Sequence, residues 1–126
     1  MKVFILCGGY GTRLDYEGRI KAKPMVEIGK KPILMHIIEN FYRQSFNEFV
    51  LCLGHKAETV VDYFLKEKKK NVQILKKNNN NIFIKFKNKK NNFFINLVKT
   101  GTKTGTGGRL LVANKILNLN EDIIMT

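Results

Sequence analysis

The sequence predicts an α/β fold with a mostly parallel, doubly wound sheet. Two observations carry this prediction: buried-strand patterns alternate with amphipathic helical patterns, and the first strand runs directly into a glycine-rich segment. The 126 residues are enough for one modest domain and too few for two. Because 44% of them are apolar, the chain can build an ordinary buried core.

The first half of the chain alternates strand and helix. Residues 2–7 predict a strand buried on both faces, because apolar and β-branched residues follow one another without alternation. Residues 14–31 show no clear period and predict an extended excursion. Pro32 fits the first turn of a helix that continues to about Gln44, where apolar residues recur at helical spacing.

The second half continues the same pattern with shorter elements. Residues 49–53 predict a second buried strand, and Ala57 to about Lys68 predicts a second amphipathic helix. Three short strands are then expected at 72–75, 82–86 and 93–98. A third helix is expected to start near Gly107, and a last buried strand is expected to begin at Ile123.

The net charge of +13 is concentrated in one segment. Between Lys66 and Lys90 there are ten lysines and one acid, Glu67, together with a run of asparagines. A nucleic-acid surface would present arginines and interleaved aromatic side chains on one face, and this segment has no arginine. We therefore expect a solvated surface of the kind that an AT-rich coding sequence produces, and no nucleic-acid partner.

Other function classes are disfavoured by what the sequence lacks. It has no run of about eighteen apolar residues, and its first apolar run is too short for a secretion signal, so we expect a cytoplasmic protein without membrane contact. Cys7 and Cys52 each lie in an apolar run and are expected to be small core residues. With no C-x-x-C, and with His36 and His55 far apart, no zinc site is expected.

The glycine-rich segment is the first candidate for chemistry. Gly8, Gly9 and Gly11 follow the first strand, and glycines allow backbone N–H groups to approach an anion without a Cβ in the way. A tight structural turn would explain the same spacing equally well. Neither the dinucleotide fingerprint G-x-G-x-x-G nor the Walker A ending G-K-[ST] is present.

Longer motifs make the assignment more specific. Residues 8–14 read G-G-Y-G-T-R-L and residues 23–25 read K-P-M, which resembles the signature of the sugar nucleotidyltransferases. Residues 97–101 and 106–110 read L-V-K-T-G and T-G-G-R-L, an element similar to that of glucose-1-phosphate cytidylyltransferases. The similarity runs nearly the whole length and weakens between about 68 and 92.

The resemblance implies a fold and an activity. Residues 1–126 would be the N-terminal, nucleotide-binding part of a Rossmann-like nucleotidyltransferase core, with a Lys/Asn-rich segment at about 66–92 as an insertion or edge. The family's enzyme, acting in nucleotide-sugar and polysaccharide biosynthesis, transfers a cytidylyl group from CTP to glucose 1-phosphate with Mg²⁺, giving CDP-glucose and pyrophosphate. CTP and glucose 1-phosphate are thus the expected partners, and a homo-oligomer is compatible with the sequence.

The resemblance also implies residue roles. Arg13 offers a planar fork of donors to the β and γ phosphates, and Lys23 offers a point charge to the α phosphate and the sugar phosphate; these two are the expected catalytic residues. Thr104 and Arg109 would lie near the cytosine or ribose. The expected nucleotide-binding residues are Leu6, Cys7, Gly8, Gly9, Tyr10, Gly11, Thr12, Arg13, Lys23, Thr104, Gly107, Gly108 and Arg109.

The sequence departs from the family pattern in a few places. Cys7 stands where alanine is usual, and Lys99 replaces a common aspartate. In the family, the strand that begins here at Ile123 continues into a G-D-G turn whose aspartate binds Mg²⁺. Thr126 is the last residue of this sequence, so we expect no metal ligand within it and no transfer activity from this chain alone.

Three alternatives stay open on the sequence. The first is a nucleotidyltransferase for another base or sugar phosphate, and the second is a non-catalytic nucleotide-binding protein. The third is a basic RNA-binding module, which would retain salt-dependent RNA binding after mutation of Arg13.

Overall fold

In the computed structural model, the described residues form ten strands, and six of these make up one central sheet. It describes the backbone of residues 2–7, 12–14, 20–54, 57–99 and 123–125, and the side chains of residues 2–7, 24–54 and 57–99. The strands are β1 (Lys2–Leu6), β2 (Thr12–Leu14), β3 (Ile20–Ala22), β4 (Glu27–Ile28), β5 (Lys31–Pro32), β6 (Glu48–Leu53), β7 (Val72–Lys77), β8 (Asn81–Lys87), β9 (Asn92–Lys99) and β10 (Ile123–Met125).

The central sheet has the order β10-β1-β6-β9-β8-β7. Strands β10, β1, β6 and β9 are parallel to one another, and β8 runs antiparallel to both of its neighbours. The predicted α/β class is confirmed, and the predicted strands in the Lys/Asn-rich segment form the antiparallel edge. The mixed sheet is typical of large α/β folds, in which an antiparallel edge continues a parallel centre.

Two helices pack on the sheet where the sequence predicts them. Helix α1 (Ile33–Arg43) follows β5, and helix α2 (Ala57–Asp62) follows β6 and continues into one π-helical turn over Tyr63–Glu67. Pro32 lies one residue before the predicted position: it is the residue that precedes the helix, with φ −60° and ψ 150°. Its fixed φ suits this extended conformation as well as the first turn. The third predicted helix lies outside the described residues.

Both faces of β1 and β6 are buried, as the unbroken apolar runs predict. One face packs with α1 and α2 into a core cluster that includes Val3, Ile5 and Leu51. The alternate side chains Phe4 and Val50, which pair across β1 and β6, are 1% and 0% exposed. Cys7 and Cys52 are 3% and 0% exposed, so the prediction that they are core residues is confirmed.

The excursion between β1 and α1 is built from short paired strands. Strands β2 and β3 form one antiparallel pair, and β4 and β5 form another. The β4–β5 turn places Gly29 at φ 60° and Lys30 at φ 70°, which is the left-handed geometry of a two-residue hairpin. Across the described ranges, no helix has the length and apolarity needed to cross a bilayer.

The Lys/Asn-rich segment is more ordered than its composition suggests. In the β7–β8 turn, Asn78 Oδ1 accepts hydrogen bonds from the backbone N–H groups of Asn80 and Asn81, each at 2.9 Å. In the β8–β9 turn, Asn88 Oδ1 accepts from Lys90 at 2.9 Å and Asn91 at 2.8 Å. Asn78 and Asn88 are exposed, as expected for a solvated surface, but their side chains also close both hairpins, which the composition did not predict.

Candidate nucleotide site

The predicted phosphate loop and the predicted base-side segment begin at the same edge of the sheet. Residues 8–11 follow β1, and residues 100–109 follow β9. Because β1, β6 and β9 are parallel, their carboxyl ends lie side by side at one edge. The topology therefore brings the starts of the two motifs to within two strand spacings, about 10 Å, of each other.

That edge contains the point at which the strand order reverses. Successive parallel strands move outward from β1 through β6 to β9, and β10 then lies on the opposite side of β1. In open α/β sheets, ligands bind outside the carboxyl ends of the strands at such a switch point. The carboxyl end of β1, at Leu6, lies at this position.

Cys7 fixes the start of the loop to the neighbouring strand. Its backbone N–H donates a hydrogen bond of 2.9 Å to the carbonyl oxygen of Cys52 in β6. Its side chain is only 3% exposed, and its Sγ lies 3.6 Å from the carbonyl oxygen of Ile5. The side chain belongs to the core cluster, so the start of the loop is anchored in the buried interior.

Strand pairing brings the two halves of the phosphate motif together. In the β2–β3 pair, Thr12 lies opposite Ala22, and Arg13 lies opposite Lys21. Lys23 follows Ala22 directly and begins a 3₁₀ turn that extends to Met25. The backbones that carry the two predicted catalytic residues are therefore neighbours, although ten residues separate them along the chain.

The turn that carries Lys23 is anchored in the core. Met25 is 6% exposed and belongs to the cluster beneath α1. The carbonyl oxygen of Val26 accepts a 2.9 Å hydrogen bond from the backbone N–H of Ile33 at the start of α1. Together these contacts hold the K-P-M motif against the helix that follows it.

An ion pair that we did not predict ties the start of the base-side segment to α2. Lys99 Nζ, at the end of β9, lies 2.9 Å from Glu58 Oε1 in the first turn of the helix. The hydrogen bond and the charge of Lys99 lower the pKa of the Glu58 carboxyl below its usual value. Both side chains are largely exposed, so the pair positions the chain more than it stabilises the fold. In the sequence, Lys99 is visible only as a departure from the family pattern, and the pattern does not identify Glu58 as its partner.

The structure describes the framework of the predicted site and part of its residues. Leu6 ends β1 and Cys7 follows it, and the backbones of Thr12, Arg13 and Lys23 lie in the excursion before α1. The other predicted nucleotide-binding residues lie outside the described residues: Gly8, Gly9, Tyr10, Gly11, Thr104, Gly107, Gly108 and Arg109. The roles of all these residues stay predictions.

Metal binding has no candidate among the described side chains. In residues 2–7, 24–54 and 57–99, no three His, Cys, Asp or Glu side chains lie close enough to hold an ion together. None of these described residues is therefore assigned to the Mg²⁺ that the resemblance implies.

The fold and the position of the loop define a class of protein: an open α/β sheet of Rossmann type with a glycine-rich segment at its switch point. Comparison with known families makes the class specific. The nucleotidyl transferase family model matches residues 2–102, and the chain belongs to this family.

The similar proteins are sugar-phosphate nucleotidyltransferases. A glucose-1-phosphate cytidylyltransferase of Salmonella typhimurium is 48% identical over 64 residues, 51% of this chain and 25% of that protein. A probable glucose-1-phosphate cytidylyltransferase of Bacillus subtilis is 36% identical over 127 residues, 100% of this chain and 49% of that protein. A D-glycero-alpha-D-manno-heptose 1-phosphate guanylyltransferase of Campylobacter jejuni is 40% identical over 67 residues, 53% of this chain and 30% of that protein.

Among solved structures, HddC from Yersinia pseudotuberculosis, complexed with GMP-PN, is 38% identical, with a TM-score of 0.45 over 52% of this chain and 29% of that chain. The chain spans at most about half the length of the relatives described here.

Proposed function

We propose that this chain is the nucleotide-binding part of a glucose-1-phosphate cytidylyltransferase. In the proposed reaction, a phosphate oxygen of glucose 1-phosphate attacks the α phosphorus of CTP in line, the bond to the β phosphate breaks, and CDP-glucose and pyrophosphate form. The chain's own contribution is to bind the triphosphate and to neutralise charge on it.

One observation carries the proposal: both motif segments start from the carboxyl edge of one parallel sheet, on either side of β6. A triphosphate held by the residues after β1 would then have its base on the side of the residues after β9. The relatives named for cytidylyl transfer to glucose 1-phosphate support the same substrate pair.

The proposed charge roles follow from side-chain chemistry. A guanidinium at position 13 has a planar set of donors that matches the β and γ phosphate oxygens and the departing pyrophosphate. An ammonium at position 23 is a compact point charge for the α phosphate, where negative charge crowds as the sugar phosphate approaches. The paired backbones of β2 and β3 keep the two positions close together.

A guanylyl donor is the second candidate. Two relatives are named as transferases of a guanylyl group. One is the Campylobacter jejuni protein, and the other is a mannose-1-phosphate guanyltransferase of Schizosaccharomyces pombe that is 39% identical over 75 residues. Their identities to this chain are lower than the 48% of the Salmonella typhimurium cytidylyltransferase, and the T-G-G-R-L element at 106–110 favours cytidine.

Nucleotide-dependent thermal protection tests the base preference. With the purified chain, CTP should raise the melting temperature more than UTP, GTP or dTTP at equal concentration, because a ligand that binds only the folded state stabilises it according to its affinity. Equal protection by all four nucleotides would show that the phosphates alone are recognised. Strongest protection by GTP would transfer the proposal to the guanylyl candidate.

Replacement of Arg13 provides the matched variant. Arg13→Ala should weaken CTP binding by about tenfold or more, since each charge-assisted contact to phosphate is worth about 1.5–3 kcal/mol. Arg43→Ala removes the same charge from an exposed position in the last turn of α1 and should leave CTP binding unchanged. Equal losses in the two variants would contradict a specific role for Arg13.

A further inference from the structure

A second concave site lies at the opposite edge of the sheet. A cavity of about 350 Å³ opens between α1, the π turn after α2 and the β8–β9 turn. The β8–β9 turn precedes β9, so it lies at the amino end of the parallel strands. Because β9 is eight residues long, about 26 Å separates this end from the carboxyl edge.

The rim of the cavity is cationic. Its lining includes four lysines, which define what we call the lysine pocket: Lys31, Lys68, Lys89 and Lys90. Among the described residues that line it, Glu39 is the acidic one, and both of its carboxylate oxygens already accept hydrogen bonds. Lys31 Nζ donates to one at 2.6 Å, and Asn91 Nδ2 donates to the other at 2.9 Å.

This leaves three ammonium groups without a counter-charge from the lining. Lys68 Nζ lies 5.8 Å from the centre of the Tyr63 ring, a cation–π contact that keeps it against the pocket wall. Lys89 and Lys90 are exposed and occupy the two middle positions of the β8–β9 turn, between Asn88 and Asn91. A cleft lined by one sign of charge concentrates ions of the opposite sign.

The floor of the cavity is apolar and buried. Met35, Tyr63 and Phe86 line it and are 3%, 6% and 2% exposed. Burial raises the pKa of Tyr63 to about 12, with nearby glutamates acting in the same direction, so the phenol is neutral and able to donate a hydrogen bond at neutral pH. A small volume with an apolar floor and a few convergent polar groups is typical of a small-molecule site.

We propose that the lysine pocket binds a small organic phosphate, with the phosphate among Lys68, Lys89 and Lys90 and an apolar ring against Phe86 and Met35. A phosphate monoester carries close to two negative charges at pH 7, which suits three lysines that have no acidic partner within the lining; Glu27 and Glu67 act on Tyr63 from outside the lining. The site is distinct from the proposed nucleotide site because the two lie at opposite ends of the parallel strands. A nucleic-acid strand fits less well, since it requires a continuous groove rather than one local concavity.

Phenyl phosphate is the probe that tests the pocket. In titration calorimetry at low ionic strength, the chain should bind phenyl phosphate at least about tenfold more tightly than inorganic phosphate or phenol, because only phenyl phosphate engages both rim and floor. In heteronuclear NMR, the shifted backbone amides should be those of residues 88–91. Equal affinity for inorganic phosphate, no saturable binding, or amide shifts confined to residues 8–14 would each overturn the proposal.

Charge-matched variants separate this site from general basicity. Lys89→Gln with Lys90→Gln should weaken phenyl phosphate binding about tenfold, whereas Lys76→Gln with Lys77→Gln removes the same charge from β7 and should change it less than about twofold. Both lysine pairs are exposed, so neither variant should affect folding. Equal losses in the two double variants would overturn the pocket.

A third variant keeps this test independent of the nucleotide site. Arg13→Ala should leave phenyl phosphate binding intact even though it is expected to weaken CTP binding. Loss of phenyl phosphate binding in Arg13→Ala would overturn the pocket, since the probe would then occupy the phosphate loop. Failure of the CTP experiment alone would leave the pocket result unchanged.

Discussion

At the scale of single residues, Glu39 illustrates how a half-buried charge is accommodated. Burial alone would raise the pKa of its carboxyl, but hydrogen bonds from Lys31 and Asn91 and the charges of Lys31 and His36 outweigh burial and lower it. The side chain is 15% exposed, so solvent screens this network less than it screens a surface pair. The contact from Asn91 also ties α1 to the β8–β9 turn, 52 residues further along the chain.

The stability of the protein should therefore depend on pH through Glu39. A lowered folded-state pKa means that the stabilisation is fully present above the unfolded value of 4.5 and is lost as the pH falls through the lower folded value. Glu39→Gln should cost about 1–3 kcal/mol at neutral pH, because the amide cannot accept both hydrogen bonds. The difference between variant and parent should shrink as the pH falls below 4.5 and the parent carboxyl becomes protonated.

Urea unfolding of both proteins at neutral and acid pH measures this difference. Glu67→Gln, at an exposed glutamate of the π turn, is the control and should cost less than about 0.5 kcal/mol at either pH. A penalty for Glu39→Gln that is the same at both pH values would contradict the assignment to the carboxylate.

At the scale of elements, the two hairpins at the antiparallel edge share one turn design. Asn78 and Asn88 each begin a four-residue turn, donate a backbone N–H to the carbonyl oxygen three residues on, and accept two backbone N–H groups on their side chains. The last asparagines of the turns, Asn81 and Asn91, are buried at 5% and 7% exposure. In each turn, the asparagine side chain thus accepts hydrogen bonds from two backbone N–H groups that have no partner on the neighbouring strand.

Removing one of these acceptors should destabilise its hairpin. Asn88→Ala leaves two backbone N–H groups without their protein acceptor and should cost about 1–2 kcal/mol in urea unfolding, less than for buried groups because water reaches the turn. Asn79→Ala changes an exposed asparagine in the other turn and should cost less than about 0.5 kcal/mol. Equal effects of the two substitutions would show that composition, and not position, matters.

These hairpins also mark where sequence reasoning reaches its limit. The strands of the central sheet and helices α1 and α2 were predictable, because each has its own apolar pattern in the sequence. Residues 49–53 and 93–98 are examples. The turn roles of Asn78 and Asn88 were not, because in a run of asparagines nothing local distinguishes the one that caps a turn from its neighbours. The ion pair of Lys99 with Glu58 and the lysine pocket depend on tertiary placement, which periodicity does not encode.

The location of the candidate site was predictable from the sequence, but the strand pairing around it was not. The motif at residues 8–14 pointed to the carboxyl end of β1, and the sheet places that end at the switch point. The opposition of Thr12 and Ala22 was not foreseen, since residues 14–31 show no period from which pairing could be read. The roles of Arg13 and Lys23 are still predictions that rest on resemblance.

At the scale of the whole molecule, the excess charge is separated from the proposed nucleotide site. Strand β7 is four strand spacings from β1, about 19 Å, which exceeds the Debye length at physiological ionic strength. Its exposed side chains include Ile74 and Leu75 beside Lys76 and Lys77. Strand β7 lies at the edge of the described sheet, and lysines on an edge strand disfavour pairing with another sheet. This part of the charge is therefore expected to oppose edge-to-edge association.

Neutralising this charge should therefore leave nucleotide binding nearly unchanged. Replacing Lys69, Lys70, Lys76 and Lys77 with glutamine should alter CTP affinity by less than about threefold at physiological salt, or about 0.7 kcal/mol. Calorimetric titration of CTP into the parent and the quadruple variant measures the change. A loss as large as that expected for Arg13→Ala would show that the Lys/Asn-rich segment reaches the nucleotide.

The pairing of β1 with both β6 and β10 has a consequence for the order of folding. Val3 pairs with Phe49, a separation of 46 residues, whereas Lys2 pairs with Ile123, a separation of 121 residues. Closing the longer loop costs about 0.9 kcal/mol more in chain entropy. During synthesis from the amino terminus, β6 and β9 emerge well before β10. The crevice between β1 and β10 is therefore completed after β1, β6 and β9 have paired, so the nascent chain acquires its switch point later than this part of its core.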